Sequence, residues 1–354
     1  LRVAGNIDTS VEKSFAVLAQ SPLQEQLRGI TQLGASGGVD VNLDLRIPLS
    51  ANQDTADYRV VADLDNASLT IPGSGYQIEK IRGPIRYSQS SGLSADKLTA
   101  SLWGEPLTAS IVSDQKNVHI KGASVLSGTG LKTLLGDLAN RVRGETPVAA
   151  DVLIPLKNAE SPVALTLNST LEGLQFSLPA PFAKQSEDSL ATQVILEIGE
   201  RIYARGRVEN TLAFEGIFKE GKISRGVVNL LADTATLPSH DQLLVTGRLP
   251  LVDWSLWEPV VTGQAGSFSQ SGFAQDVLLD VHIDELIVKN YSLDRTRLQG
   301  TYKNAEGWLF NVESPHLAGE VAIPPHSSPL QFKLDYLKIP AFGESTDTEA
   351  GQAE

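Results

Sequence analysis

The chain has 354 residues and a formal net charge of −13, because 42 Asp and Glu residues outnumber 29 Lys and Arg residues. An acidic surface repels phosphate groups, which argues against nucleic-acid binding and against electrostatic docking on anionic lipid headgroups. The absence of Cys excludes disulfides and thiolate metal ligands within these residues.

The first predicted element is a helix over residues 9–29. Thr9 and Glu12 have the spacing of a capping box, and Val11 starts an apolar face that repeats at helical spacing. Pro22 would break or kink this helix, so two short helices are the alternative.

A strict alternation of apolar and polar residues follows over residues 39–47. This pattern is typical of a β-strand with one buried face and one hydrated face. The apolar positions of the strand are Val39, Val41, Leu43, Leu45 and Ile47. The pattern recurs less regularly, between Gly and Pro turn signals, at residues 60–71, 163–178, 277–286 and 308–312.

Two further helices are predicted over residues 129–141 and 252–262, with Pro259 as the breaker of the last one. Each of the three helices follows a short strand that is predicted to end in Gly. These glycines are Gly5, Gly122 and Gly247. The recurring order of strand, helix and strand meander indicates an internal repeat.

We interpret the chain as three repeat units over residues 1–117, 118–242 and 243–341, followed by a disordered tail or linker over residues 342–354. The predicted fold is mainly β, an elongated array of curved antiparallel sheets with two or three short helices. No linker composition separates the units, so we favour one continuous sheet over three independent domains.

Three stretches carry letters of catalytic motifs without the structural context that the motifs need. Residues 34–38 match the nucleophile elbow, but a helix precedes them and a strand follows, which favours a flexible loop. Ser10 and Lys13 match S-x-x-K without its companion motifs, so a helix start is preferred. Residues 216–222 nearly spell a P-loop, yet they lie between two strand-like runs and predict a hairpin turn. We therefore expect no enzyme activity.

One strand places potential cation ligands side by side. Asp280, His282 and Asp284 would share one strand face and could bind a cation. The hydrated face of an ordinary strand is the favoured interpretation, because no two His residues have metal-ligand spacing. No metal and no cofactor is expected.

Four stretches carry a family resemblance as a series. They are Gly92-Leu93-Ser94-Ala95 to Leu107-Thr108-Ala109-Ser110, Leu171-Glu172-Gly173-Leu174 to Leu178-Pro179-Ala180-Pro181-Phe182-Ala183-Lys184, Val245-Thr246-Gly247-Arg248-Leu249-Pro250 with Trp254 and Trp257, and Gly307-Trp308 through Leu334 to Pro340. Together and in this order they resemble the AsmA-like family of bacterial envelope proteins, and within it the large YhdP-type proteins. The resemblance covers most of residues 1–340, and it implies that the chain is a fragment of a longer protein.

The resemblance implies a periplasmic location, a parent protein anchored in the inner membrane, and a long β-sheet groove with an apolar floor. It also implies transfer of phospholipid between the two membranes without enzyme activity. Phospholipid acyl chains, and other envelope proteins, would be the partners. A structural or protein-binding scaffold of the envelope with closed cores is the alternative. The groove candidates are Val39, Val41, Leu43, Leu45 and Ile47, with Val281, Ile283, Phe310 and Val312 as weaker ones.

Overall fold

The computed structural model describes residues 2–18, 20, 34–46, 57–71, 76–114, 116–156, 161–219, 222–264, 277–303, 306–324 and 331–338. The described structure is mainly β, with 68% strand and three short helices. None of the helices in these ranges combines the length and the apolar character needed to cross a membrane. The high strand content confirms the prediction of a mainly β fold.

Twenty-one strands follow one another within the described residues. They are β1 (Arg2–Ser10), β2 (Gly34–Arg46), β3 (Asp57–Thr70), β4 (Gln77–Ser88), β5 (Gly92–Leu102), β6 (Glu105–Ser113), β7 (Asn117–Leu126), β8 (Val142–Gly144), β9 (Thr146–Pro155), β10 (Val163–Ser169), β11 (Leu174–Phe176), β12 (Thr192–Ile198), β13 (Ile202–Val208), β14 (Leu212–Lys219), β15 (Lys222–Leu230), β16 (Leu243–Asp253), β17 (Val277–Val288), β18 (Tyr291–Lys303), β19 (Gly307–Glu313), β20 (Leu317–Ile323) and β21 (Gln331–Leu337). The helices are α1 (Val11–Leu18), α2 (Gly128–Leu135) and α3 (Trp254–Gln264), and a 3-10 helix (Gly136–Arg141) follows α2 directly.

Nineteen of the strands form one continuous sheet that is not closed into a barrel. Each strand pairs with the next one along the chain, except that β8 and β11 leave the order and pair with each other. One continuous sheet therefore passes through all three predicted units. The exact unit boundaries stay a prediction, and residues 342–354 lie outside the described residues.

The sheet is mixed, which departs from the predicted antiparallel sheets at one strand. Strand β16 runs parallel to both β15 and β17, while the other described ladders of the sheet are antiparallel. Parallel neighbours need a crossover connection rather than a tight turn. Residues 231–242 lead into β16, and the crossover from β16 to β17 contains α3.

The helices follow strands β1, β7 and β16, but their predicted limits were inexact. The strands continue past Gly5, Gly122 and Gly247 to the helix starts. Helix α1 begins two residues later than predicted, and the Ser10 Oγ accepts a hydrogen bond from the Lys13 amide at 3.4 Å in place of the Thr9 cap. Residues 21–33, which include the predicted break at Pro22, lie outside the described residues.

Three local predictions were overturned by pairing and packing. Residues 34–38 form the start of β2 with a bulge beside Gly37, instead of a flexible loop. Gly83 and Pro84, which form one of the Gly and Pro turn signals predicted from the sequence, lie inside β4 rather than in a turn. Pro259 lies inside α3 rather than at its end. In each case neighbouring strands or the sheet face stabilise a conformation that the local sequence disfavours.

Candidate functional site

The register of the ladders aligns apolar residues across the whole sheet. We call this set the apolar row, and every strand of the sheet from β1 to β20 contributes one residue. Its members are Ile7, Val41, Ala62, Ile85, Ala95, Ile111, Ile120, Val152, Leu165, Leu196, Ala204, Gly216, Gly226, Leu243, Val277, Tyr302, Trp308 and Ile323. At about 4.8 Å per strand, the row extends about 80 Å along the sheet.

The opposite face of the sheet carries ion pairs between neighbouring strands. The Arg2 guanidinium binds the Asp44 carboxylate through two hydrogen bonds of 2.9 and 3.0 Å. Arg297 binds Asp280 in the same way at 2.9 and 2.8 Å, and its hydrogen bonds lower the pKa of the Asp280 carboxyl. Because side chains alternate between faces, these ion pairs lie opposite the apolar row, on a face that also carries the apolar residues Val227, Leu244 and Leu278.

The predicted groove residues of β2 lie on the apolar face. Val41 belongs to the apolar row, and Val39, Leu43 and Leu45 flank it on the same strand. Val39 is buried, with 4% of its surface exposed, whereas the other three are half-buried. Ile47 lies outside the described residues.

The weaker groove candidates lie on the same face near the other end of the sheet. Val281 pairs with Leu298, which pairs with Val312, so that β17, β18 and β19 present one apolar surface. Ile283 and Phe310 are on this surface too, and all four candidates are buried. The candidates therefore fall into a half-buried set on β2 and a buried set on β17 and β19.

Two helices explain much of this difference in burial. Val11 and Phe15 of α1 pack on Val39 at the start of β2, away from Leu45. Trp254 and Trp257 of α3 pack on the buried cluster that contains Val281 and Ile283. The weaker candidates on β17 thus lie beneath a helix.

A third section of the apolar face, on β10 and β12–β15, was not among the predicted groove residues. Leu165, Leu196 and Phe214 point to the apolar face there and are half-buried. The ring of Phe214 lies over Gly206, where a Cβ atom would come within 2.6 Å of the ring. The alternation of Val194 with Leu196 was the available signal, but this strand has only seven residues.

The motif-like residues take structural roles. Ser36 Oγ and Ser68 Oγ share a hydrogen bond of 2.6 Å across the ladder between β2 and β3. Lys219 pairs with Lys222, as the predicted hairpin requires. The predicted cation ligand Asp284 binds Arg248 at 2.8 Å. Within the described ranges, no group of three His, Asp or Glu residues is arranged to hold a metal ion.

A single sheet with an apolar row across one face and ion pairs on the other defines a protein with an extended apolar surface, as distinct from one built around a polar pocket. A family model described as YhdP protein matches residues 1–354, and the chain belongs to this family. The YhdP family is a family of envelope proteins and is not a known enzyme family. No curated protein and no solved structure matches the chain.

Proposed function

We propose that this chain is a non-enzymatic periplasmic section of a phospholipid-transfer protein that maintains the outer-membrane barrier. The apolar row carries the proposal, because it crosses the sheet from Ile7 to Ile323 without a charged or hydrogen-bonding residue other than the tyrosine and tryptophan near its end. Membership of an envelope family supports the location. The parent protein would be anchored in the inner membrane.

Acyl chains fit such a surface for a simple energetic reason. Burial of each CH₂ group is favourable by about 0.8 kcal/mol and requires no particular direction of approach. A lipid tail can therefore lie anywhere along the row without a dedicated polar site. The ion pairs of the opposite face keep that side of the sheet in water.

Headgroup charge would contribute little to binding. The net charge of −13 opposes the approach of anionic phosphate groups. We therefore expect the tail to provide the binding energy while the headgroup stays hydrated. This arrangement gives low chemical selectivity, which suits a conduit for several phospholipids.

Photo-crosslinking in cells tests the proposal directly. A photoreactive residue at Leu43 or Leu196, on the apolar face, should capture phospholipid. The matched positions Asn42 and Glu197 point to the opposite face and should not. Equal capture at both members of each pair, or no capture at Leu43 and Leu196 in a folded protein, would contradict the proposal.

The alternative of an envelope scaffold with closed cores is favoured by one observation. The apolar face over β16–β18 is already covered by α3, and Leu249, Val252 and Val281 beneath it are buried. A scaffold would show such coverage and would bind protein partners instead of lipid. Native mass spectrometry after mild extraction separates the two functions, because co-purified phospholipid supports transfer and its absence supports the scaffold.

A further inference from the structure

Helix α3 occupies part of the surface that the proposed function assigns to lipid. Its side chains Trp254 and Trp257 pack against a cluster of buried residues on β16, β17 and β18. The cluster consists of Leu249, Val252, Val281, Ile283, Leu286 and Leu293. Two of these residues, Val281 and Ile283, are predicted groove residues.

Distant parts of the chain hold α3 in this position. The Phe182 ring meets the Trp257 ring edge to face, with 5.8 Å between the ring centroids. Arg141 Nη2 donates a hydrogen bond of 3.2 Å to the Pro259 carbonyl oxygen. Arg141 ends the 3-10 helix after β7, and Phe182 lies between β11 and β12. The two contacts therefore connect α3 to segments of the chain outside β16–β18.

Helix α3 has two energetically unfavourable features when it lies on the sheet. Pro259 lies in the middle of the 11-residue helix, where it cannot donate the backbone hydrogen bond of that turn. The Nε1–H of Trp257 is buried without a hydrogen-bond acceptor among the described residues, which costs free energy. A helix of this length is also marginal without packing partners. Displacement of α3 from the sheet would let water hydrate the Trp257 indole, and the turn at Pro259 makes the displaced helix easy to unfold.

We infer that α3 is a displaceable cover that blocks this section of the apolar face until a phospholipid acyl chain takes its place. This inference rests on the proposed function. In the covered state Trp254 and Trp257 fill the space above β16–β18 that a lipid tail would fill. A tail and the helix compete for one surface, so Phe182 and Arg141 set how easily lipid reaches it.

A lipid-independent experiment tests the movement of the cover. The chain has no Cys, so Val281→Cys introduces a single thiol at a position with 3% exposure. Arg141→Ala should raise its alkylation rate by about tenfold, because it removes a contact of α3 while the buried cluster, on which Phe182 packs directly, stays intact. Arg143→Ala changes an exposed arginine on the neighbouring strand β8 and should leave the rate unchanged.

A thiol at a second position is the control for unfolding of the sheet. Val118→Cys, at 1% exposure on β7, should stay protected in every variant. An unchanged rate at position 281 in Arg141→Ala would show that α3 is a fixed part of the core. Equal exposure of positions 118 and 281 would mean that α3 opens only when the sheet unfolds, and this outcome also overturns the inference.

A photoreactive residue at Ile283 links the cover to lipid. Arg141→Ala should raise phospholipid capture at Ile283 about tenfold and leave capture at Leu43 unchanged, because Leu43 is remote from α3. Capture at Leu43 with none at Ile283 in any variant would overturn the cover and leave the proposed function standing. Loss of capture at both positions would instead overturn the proposed function.

Discussion

The first three strands and strands β16–β20 present the same apolar face but differ in what covers it. On β1 and β2, Ile7 is 53% exposed and Leu43 is half-buried. On β17 and β19, Val281 and Phe310 are buried within larger clusters. The alternation of residues is therefore not sufficient to identify a lipid-accessible surface, because the cover comes from elements distant in the sequence.

The largest expected effect of a single substitution is in the covered region. Val281→Asp places a charge without a partner beneath α3, and we expect a loss of about 4 kcal/mol or more in the free energy of unfolding. Urea unfolding at neutral pH measures this loss. His282→Asp is the matched control, since His282 lies on the hydrated face of the same strand. A small effect of Val281→Asp would mean that this face is open to water.

A slightly smaller effect is expected from an aromatic side chain of the apolar row. Trp308 is buried and stacks on Phe310 with 5.1 Å between the ring centroids and 8° between the ring planes. Trp308→Ala should lower the free energy of unfolding by about 3–5 kcal/mol. Leu309→Ala, at the next position and with 52% exposure, should change it by less than about 0.5 kcal/mol. Similar losses from both would contradict the assignment of the two faces.

The contrast between the regions shows what the sequence could predict. The unbroken alternation around Leu43 predicted both the strand and the face correctly, because that strand has one wet side. The family, the mainly β fold and the helices after β1, β7 and β16 were also recognisable. Most of the wrong details concern positions where contacts with a neighbouring strand or helix determine the backbone conformation. Examples are the strand at residues 34–38 and the helix that contains Pro259.

Two features of the candidate site had no sequence signal. The parallel pairing of β16 depends on the crossovers before and after it, and strand composition does not reveal which neighbour a strand will take. The contacts of Arg141 and Phe182 with α3 join residues more than 70 positions apart. Whether the apolar face over β17 is open or covered follows from such contacts, and a pattern within one strand cannot report it.

The uncovered region should tolerate a charge that the covered region does not. Leu43→Asp places the carboxylate on a half-buried position near the edge of the sheet, where water can reach it. We expect a loss of about 1–2 kcal/mol, well below that of Val281→Asp. Asn42→Asp on the hydrated face is the control. Equal losses for Leu43→Asp and Val281→Asp, measured in the same urea series, would show that the two regions are closed to the same extent.

The smallest expected effect concerns the hydrated face, where the two regions carry matching ion pairs. Hydrogen bonds from Arg297 lower the pKa of Asp280, and hydrogen bonds from Arg2 lower the pKa of Asp44. The Asp280 pair is the less exposed of the two, because Arg297 is more buried than Arg2. We expect Asp280→Asn to cost less than about 1 kcal/mol at neutral pH, as for other pairs near the surface.

The pH dependence of this cost follows from the direction of the pKa shift. A carboxyl with a lowered pKa in the folded state contributes stability above its unfolded pKa, near 3.9, and loses it as the pH falls through the lower folded value. The difference in the free energy of unfolding between the unsubstituted chain and Asp280→Asn should therefore be constant from about pH 5 to 7. It should disappear as the pH drops below about 4. Urea unfolding at several pH values measures it, with Asp44→Asn as the comparison from the uncovered region. A difference that grows as the pH falls would have the wrong sign for this ion pair, and a larger effect at Asp44 than at Asp280 would reverse the order that their exposure predicts.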